Sequence, residues 1–338
     1  MTRPTLVLLL ACLIASSSPA RADDSHGATE LLRHHLLGEP LRARQPAPGE
    51  RLAAAVAAAA PATLGAHQAS RVLPAYAALP PADRAAFDAL LARFAGQPAV
   101  RDQLLKALAA SNGVDDVAWL AGELDGRDPA WIAASTRLTP PGEAGPALRQ
   151  QFSDSCVPTT AQALRAEYDP VYALRTRQAN PDVTGADDHD PMAMNPALAE
   201  EQRDVLLRYA GGPAPRASQD GWGIEVTRPL NDVAAFTGLT YRTHRGEPLE
   251  DALALIEANL AQGRAVPLVV SRVFAPGEGG GGHAVMATAV RHDEAGAPSF
   301  LVFDPLAGEA TWFSAEQLRR REMRFAGFDR IAYVLTPG

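Results

Sequence analysis

"RQQFSDSCVPTTAQAL", Arg149 to Leu164, holds one of only two cysteines in a chain of 338 residues. The other, Cys12, lies in a stretch that reads as an export signal. Arg3 supplies a positive end, Thr5 to Ala15 an apolar core, and Ala20-Arg21-Ala22 a small-residue cleavage site. Cleavage after Ala22 leaves Cys156 alone in an oxidising compartment, where cysteines usually pair. That marks it as a candidate reactive thiol, against the alternative of a small buried hydrophobe. Pro158 suits a first helical turn, and Ala161, Leu164 and Tyr168 share a face, so a helix is expected to begin just after Cys156.

Downstream, residues Asp169 to Arg245 are loops rich in Asn, Asp, Gly and Pro around one helix, Pro196 to Ala210. "PLEDALALIEANLAQGR" then predicts a helix, with Leu249, Leu253, Ile256 and Leu260 on one face, Glu250 and Asp251 in the first turn, and Gly263 at the end. Strand-like runs follow at Ala265–Ser271, His283–Val290, Ser299–Asp304, Thr311–Phe313 and Arg330–Leu335. Helix first and sheet last is the order of an α+β domain rather than an alternating parallel one.

Upstream, Ser25 to about Leu138 is rich in Ala, Leu and Arg at helical spacing, without strand-like alternation. "PPADRAAFDALLARFAG" places Phe87, Leu90, Leu91 and Phe94 on one face, and further helices are expected at Arg51–Ala60, Val100–Ala110 and Asp115–Leu124. The Pro/Gly-rich "LTPPGEAGP", Leu138 to Pro146, divides the two parts. The expected organisation is a signal peptide over 1–22, an all-α domain over 23–140 and an α+β domain over 146–338.

Net charge is −8, and Lys106 is the only lysine among 31 basic residues. Without a basic cluster, nucleic acid is excluded as a partner. The apolar run at the N-terminus is too short to span a bilayer, so no stable membrane insertion is expected and the product is secreted or periplasmic. One alternative stays open: Leu9-Leu10-Ala11-Cys12 resembles a lipoprotein cleavage box, which would anchor the chain through Cys12.

A thiol nucleophile needs a helix N-terminus or imidazolium beside it, a histidine to shuttle protons, a group to orient that histidine, and donors for an oxyanion. Of eight histidines, His26, His34, His35 and His67 read as solvated or capping residues. His283 differs, since it follows "GEGGGG" and opens the strand "HAVMATAV". Asp304 closes the next strand in "FLVFDPLAG", where a turn-initiating aspartate is the plainer reading.

Gln150 six residues before Cys156, a helix, Gly282-His283 opening a strand and Asp304-Pro305-x-x-Gly308 closing another resemble the papain-like cysteine peptidases. The pattern is most similar to the C39-type and C39-like peptidases, over residues 146 to 338. The resemblance implies a helix carrying the cysteine and an antiparallel sheet carrying the histidine and aspartate. It makes Cys156 the nucleophile, His283 the general base and acid, Asp304 the orienting carboxylate and Gln150 the oxyanion donor, with the Cys156 backbone N–H as second donor. Gln151 is the alternative donor. The family's glycine after the cysteine is replaced by Val157-Pro158, and the insertion between Cys156 and His283 is longer than usual. Leader-peptide trimming, the task of transporter-borne members, does not suit a chain with an export signal.

The implied partner is a protein or peptide substrate, with no cofactor or metal and with the helical part available for a protein partner. Rival readings are a thiol-dependent amidase, deamidase or transglutaminase, and a non-catalytic binding protein on the same fold. "GADDHDP", Gly185 to Pro191, offers oxygen ligands but matches no cation-loop template, so a solvated acidic loop is expected. Trp222, Phe236 and Tyr241 are candidates for a cleft wall or for core.

Overall fold

In the helical part several helices begin at a proline, which starts a turn without wasting an N–H. In the computed structural model, Pro81, Pro98 and Pro129 open three of its helices at N1. The structure describes residues 48–61, 63–140, 148–180, 195–210, 226–272, 282–325 and 327–338. The export signal with Cys12, His26, His34 and His35, most of "LTPPGEAGP", "GADDHDP", Trp222 and the glycine run up to residue 281 lie outside them. The helices are α1 (Pro48–Ala57), α2 (Ala66–Ala78), α3 (Pro81–Arg93), α4 (Pro98–Ala109), α5 (Val114–Leu124) and α6 (Pro129–Ser135). Asp128 caps α6 by accepting from the Trp131 N–H at 2.9 Å. Phe87, Phe94, Leu104, Leu108, Val117 and Leu120 form the apolar cluster that these helices enclose.

The remaining elements are α7 (Cys156–Tyr168), α8 (Pro170–Ala179), α9 (Pro196–Ala210), α10 (Thr227–Asp232), α11 (Ala234–Thr237), β1 (Tyr241–Arg245), α12 (Leu249–Leu260), β2 (Val266–Ser271), β3 (Gly282–His292), β4 (Pro298–Asp304), β5 (Glu309–Ser314), α13 (Ala315–Arg319) and β6 (Arg330–Pro337). All six strands pair antiparallel in one sheet, ordered β1-β6-β2-β3-β4-β5. The architecture is α+β, as the order of helix and strand patterns predicts. Both faces are covered, which explains why β4 reads as an unbroken apolar run rather than an alternation. Leu301 and Phe303 pack with Leu164 and Tyr168 of α7 on one face, while Phe300 and Val302 pack with Leu253 and Ile256 of α12 on the other. Among the described residues, no helix is long and apolar enough to cross a membrane.

Residues 48–338 form one compact unit. Val171 and Leu174 of α8 belong to the apolar cluster of the upstream helices. α2 is fastened to the ends of α7 and α11: His67 Nε2 bonds the Thr237 carbonyl at 2.8 Å, Gln68 Nε2 donates to the Tyr168 carbonyl at 3.2 Å, and Arg71 Nη1 donates to the Phe236 carbonyl at 3.1 Å. His67 is therefore a tether rather than a solvated side chain, and burial chiefly lowers its basicity. Gly65 and Gly263 touch backbone to backbone, and a Cβ on Gly65 would lie 2.9 Å from the Gly263 Cα. Lys106 of α4 is 4% exposed. Burial pulls its amine down to about 8 against the opposing pull of Glu167 and Asp169 at the end of α7, while Arg137 adds to the lowering.

Candidate active site

Cys156 is the first residue of α7 and is half-buried. Ser155 stands at the N-cap position but makes no side-chain cap bond, with φ −91° and ψ 19° in place of the extended backbone a capping serine adopts. The Ser155 side chain therefore leaves the Cys156 and Val157 N–H groups at the start of α7 uncapped.

His283 is the second residue of β3 and is 5% exposed. Its Nε2–H donates to Asp304 Oδ1 at 2.6 Å. Cys156 is its other side-chain hydrogen-bond partner, and with Nε2 engaged that bond falls to Nδ1. Burial by itself would depress the imidazole. The bonds to Asp304 and Cys156, with the charges of both, outweigh it and raise His283 to about 9. Asp304, the last residue of β4, also accepts from the Leu306 N–H at 2.9 Å, so the same oxygen ends the strand and orients the ring.

The Asp304 turn is stapled to the segment before Cys156. The Gln150 N–H donates to the Pro305 carbonyl at 2.8 Å and Arg149 Nε to the Leu306 carbonyl at 2.8 Å. Gly308, at φ +67°, lies where a Cβ would be 3.4 Å from the Arg149 Cβ. Gln150 is 1% exposed, and its Nε2 donates to the carbonyls of Phe152 at 2.9 Å and Ser153 at 3.1 Å. Its Oε1 is buried without a hydrogen-bond partner. Exchanging the two ends of this amide would set an oxygen against two carbonyls, so the nitrogen belongs where it is. Gln151 points elsewhere: its Nε2 donates to the Arg149 carbonyl at 2.9 Å and its Oε1 accepts from the Asn195 N–H at 2.8 Å.

The structure thus brings Cys156, His283 and Asp304 together, with Gln150 curled beneath the loop that leads to the cysteine. Sequence reasoning missed Phe328, whose ring stacks on His283 at 6.5 Å between centroids and 20° between planes. The available signal was a glycine, Gly327, between two phenylalanines just ahead of a strand run. Of the cleft candidates, Tyr241 is 2% exposed and donates its hydroxyl proton to the Ala265 carbonyl at 3.1 Å, which makes it core. Phe236 lies under the Arg165 guanidinium at 3.7 Å. Compared with known proteins, the chain matches no family model and no curated sequence.

Proposed function

We propose that this chain is a papain-like cysteine hydrolase that cleaves peptide bonds. The observation that carries the reading is His283, held between the Asp304 carboxylate at 2.6 Å and the Cys156 sulfur on a helix N-terminus. At neutral pH a ring raised to about 9 carries a proton, and in this mechanism it is the proton given up by the Cys156 Sγ. The sulfur attacks the substrate carbonyl carbon, a C–S bond forms, and the carbonyl π pair moves onto oxygen. The Cys156 N–H at the start of α7 receives that oxyanion, joined by a Gln150 N–H released from the longer of its two carbonyl bonds. As the C–N bond breaks, His283 Nδ1 protonates the leaving nitrogen. It then takes a proton from water, whose oxygen displaces the sulfur from the acyl-thioester and restores the thiol.

The test is to present the purified protein and Cys156→Ala in parallel with a mixed peptide library and with cell-wall material. New amino termini that depend on Cys156 support a peptidase. Thiol-dependent release of ammonia, or a new isopeptide bond, would move the same thioester chemistry to a deamidase or transferase. No Cys156-dependent product, together with alkylation no faster than that of a free thiol, would sink the enzymatic reading in favour of a binding protein.

A further inference from the structure

Helix α9 lies in the long insertion between Cys156 and His283, which the resemblance leaves without a role, yet its fully buried Gln202 reaches the catalytic loop. Gln202 Oε1 accepts from the Gln151 backbone N–H at 2.7 Å and from the Ser155 hydroxyl at 2.7 Å. These two residues each stand next to a proposed participant, Gln151 after Gln150 and Ser155 before Cys156. The Ser155 Oγ in turn accepts from the Phe152 N–H at 3.1 Å, closing the loop on itself.

Gln202 is not free to turn away. Its Nε2 donates to Gln162 Oε1 at 2.9 Å, Gln162 Nε2 donates to Glu201 Oε2 at 2.7 Å, and the Tyr172 hydroxyl donates to the same oxygen at 2.8 Å. Gln162 belongs to α7 itself, so one side chain of α9 grips the cysteine helix within its length and again at its start. A buried polar chain with each amide end assigned holds one geometry, because every alternative rotamer strands a donor in an apolar interior. Its consequence at the site is specific. A serine before a helix ordinarily accepts from the N2 or N3 N–H; here N3 is Pro158, which has none, so the N–H at stake is that of Val157, and Gln202 Oε1 at 2.7 Å, with the Phe152 carbonyl at 3.0 Å, holds the Ser155 hydroxyl away from it.

We infer that Gln202 is a positioning residue of the Cys156 centre, keeping Ser155 from capping α7 and so leaving the Val157 N–H open to the sulfur. This inference rests on the hydrolase reading, and the experiment separates the two. Iodoacetamide alkylation of Cys156 is followed by mass spectrometry at pH 6 and pH 10 on folded protein, for wild type, His283→Ala, Gln202→Met, Gln202→Glu and Ser155→Ala. The pH 6 to pH 10 rate ratio is insensitive to global stability as long as the protein is folded. Gln202→Met should lower this ratio by about 10- to 100-fold, the range expected when a supporting contact loosens a reacting group. Gln202→Glu, which retains the acceptor oxygen, should recover part of the loss. Ser155→Ala removes the competing cap and should stay within about threefold of wild type in this ratio, since no serine oxygen is left to turn onto the Val157 N–H. In the double variant Ser155→Ala/Gln202→Met most of the loss should disappear, and this pair decides the matter if Gln202→Met alone folds poorly. Unchanged ratios in both Gln202→Met backgrounds, beside a fast wild type, would overturn the role of Gln202 and leave the hydrolase reading standing. A wild-type ratio no higher than that of His283→Ala would instead remove the hydrolase reading itself.

Discussion

His283 holds its proton because two partners oppose the cost of burying a charge, and this sets a pH window. A folded value raised to about 9 from 6.5 means that the stabilisation is fully present below 6.5 and is lost as pH rises through 9. The thermal midpoint of wild type should therefore fall between pH 6.5 and 9, measured by scanning calorimetry, and His283→Ala should not share that decline. In the proposed reaction the general acid is lost as pH passes the folded value, so kcat/KM should drop above about 9. Asp304→Asn should move this alkaline limb to lower pH; a limb that stays in place would mean that Asp304 does not hold the ring. Cys156→Ser and His283→Ala should each cut turnover by about 10³-fold or more; Cys156→Ser should leave the thermal midpoint nearly unchanged, whereas His283→Ala should lower it at pH 6 and below, where the ring's bond to Asp304 stabilises the fold. Gln150→Ala should lower kcat by about 10²-fold, as loss of one oxyanion donor does. Gln151→Ala should act mainly on stability, because both ends of its amide are spent within the protein. At this scale the sequence was informative where chemistry demanded a residue type. Cys156, His283 and Asp304 stand out by context, whereas Gln202 and Phe328 come beside them only in space, which no local pattern encodes.

Among elements, α2 meets the turn after α12 backbone to backbone. Gly263 has φ +70° and its own Cβ would lie 2.8 Å from the Gly65 Cα. Gly263→Ala meets both a left-handed backbone and a backbone clash, while Gly65→Ala meets the clash alone. Each should destabilise by about 1–3 kcal/mol, with Gly263→Ala the worse, as read from urea unfolding midpoints. Equal, negligible shifts would show that the contact opens at no cost. The periodic helices α3, α7, α9 and α12 were legible within one or two residues, as were five strands. β1 was not: "YRTHR" has one buried residue, Tyr241, and earns its place by pairing with β6 rather than by pattern. α2 escaped notice for a related reason, since Pro74 interrupts its sequence and its fit depends on the layer beneath. The buried Tyr168 hydroxyl, accepting from the Ala265 N–H at 3.0 Å, likewise joins α7 to the start of β2 through a contact that sequence spacing does not record.

For the whole molecule, the question is whether the upstream helices are removable. Their cluster includes Val171 and Leu174 of α8, and α2 is fastened by His67, Gln68, Arg71 and the two glycines, so detaching them would expose apolar surface and strand buried polar groups. A chain shortened to begin near residue 145 should be less stable than one beginning at Asp23 and no more active. Activation on shortening, reversed by adding the helices back, would identify them as an inhibitory propeptide. The buried Lys106 offers a way to watch the same junction without cutting it. As the chain's only lysine, it supplies the only side-chain amine to a succinimidyl ester, and folding hides that amine between α4 and the end of the helix that bears Cys156. Pulse labelling at this one position becomes a single-site clock, in which each modified lysine records one separation of the upstream helices from the cysteine helix.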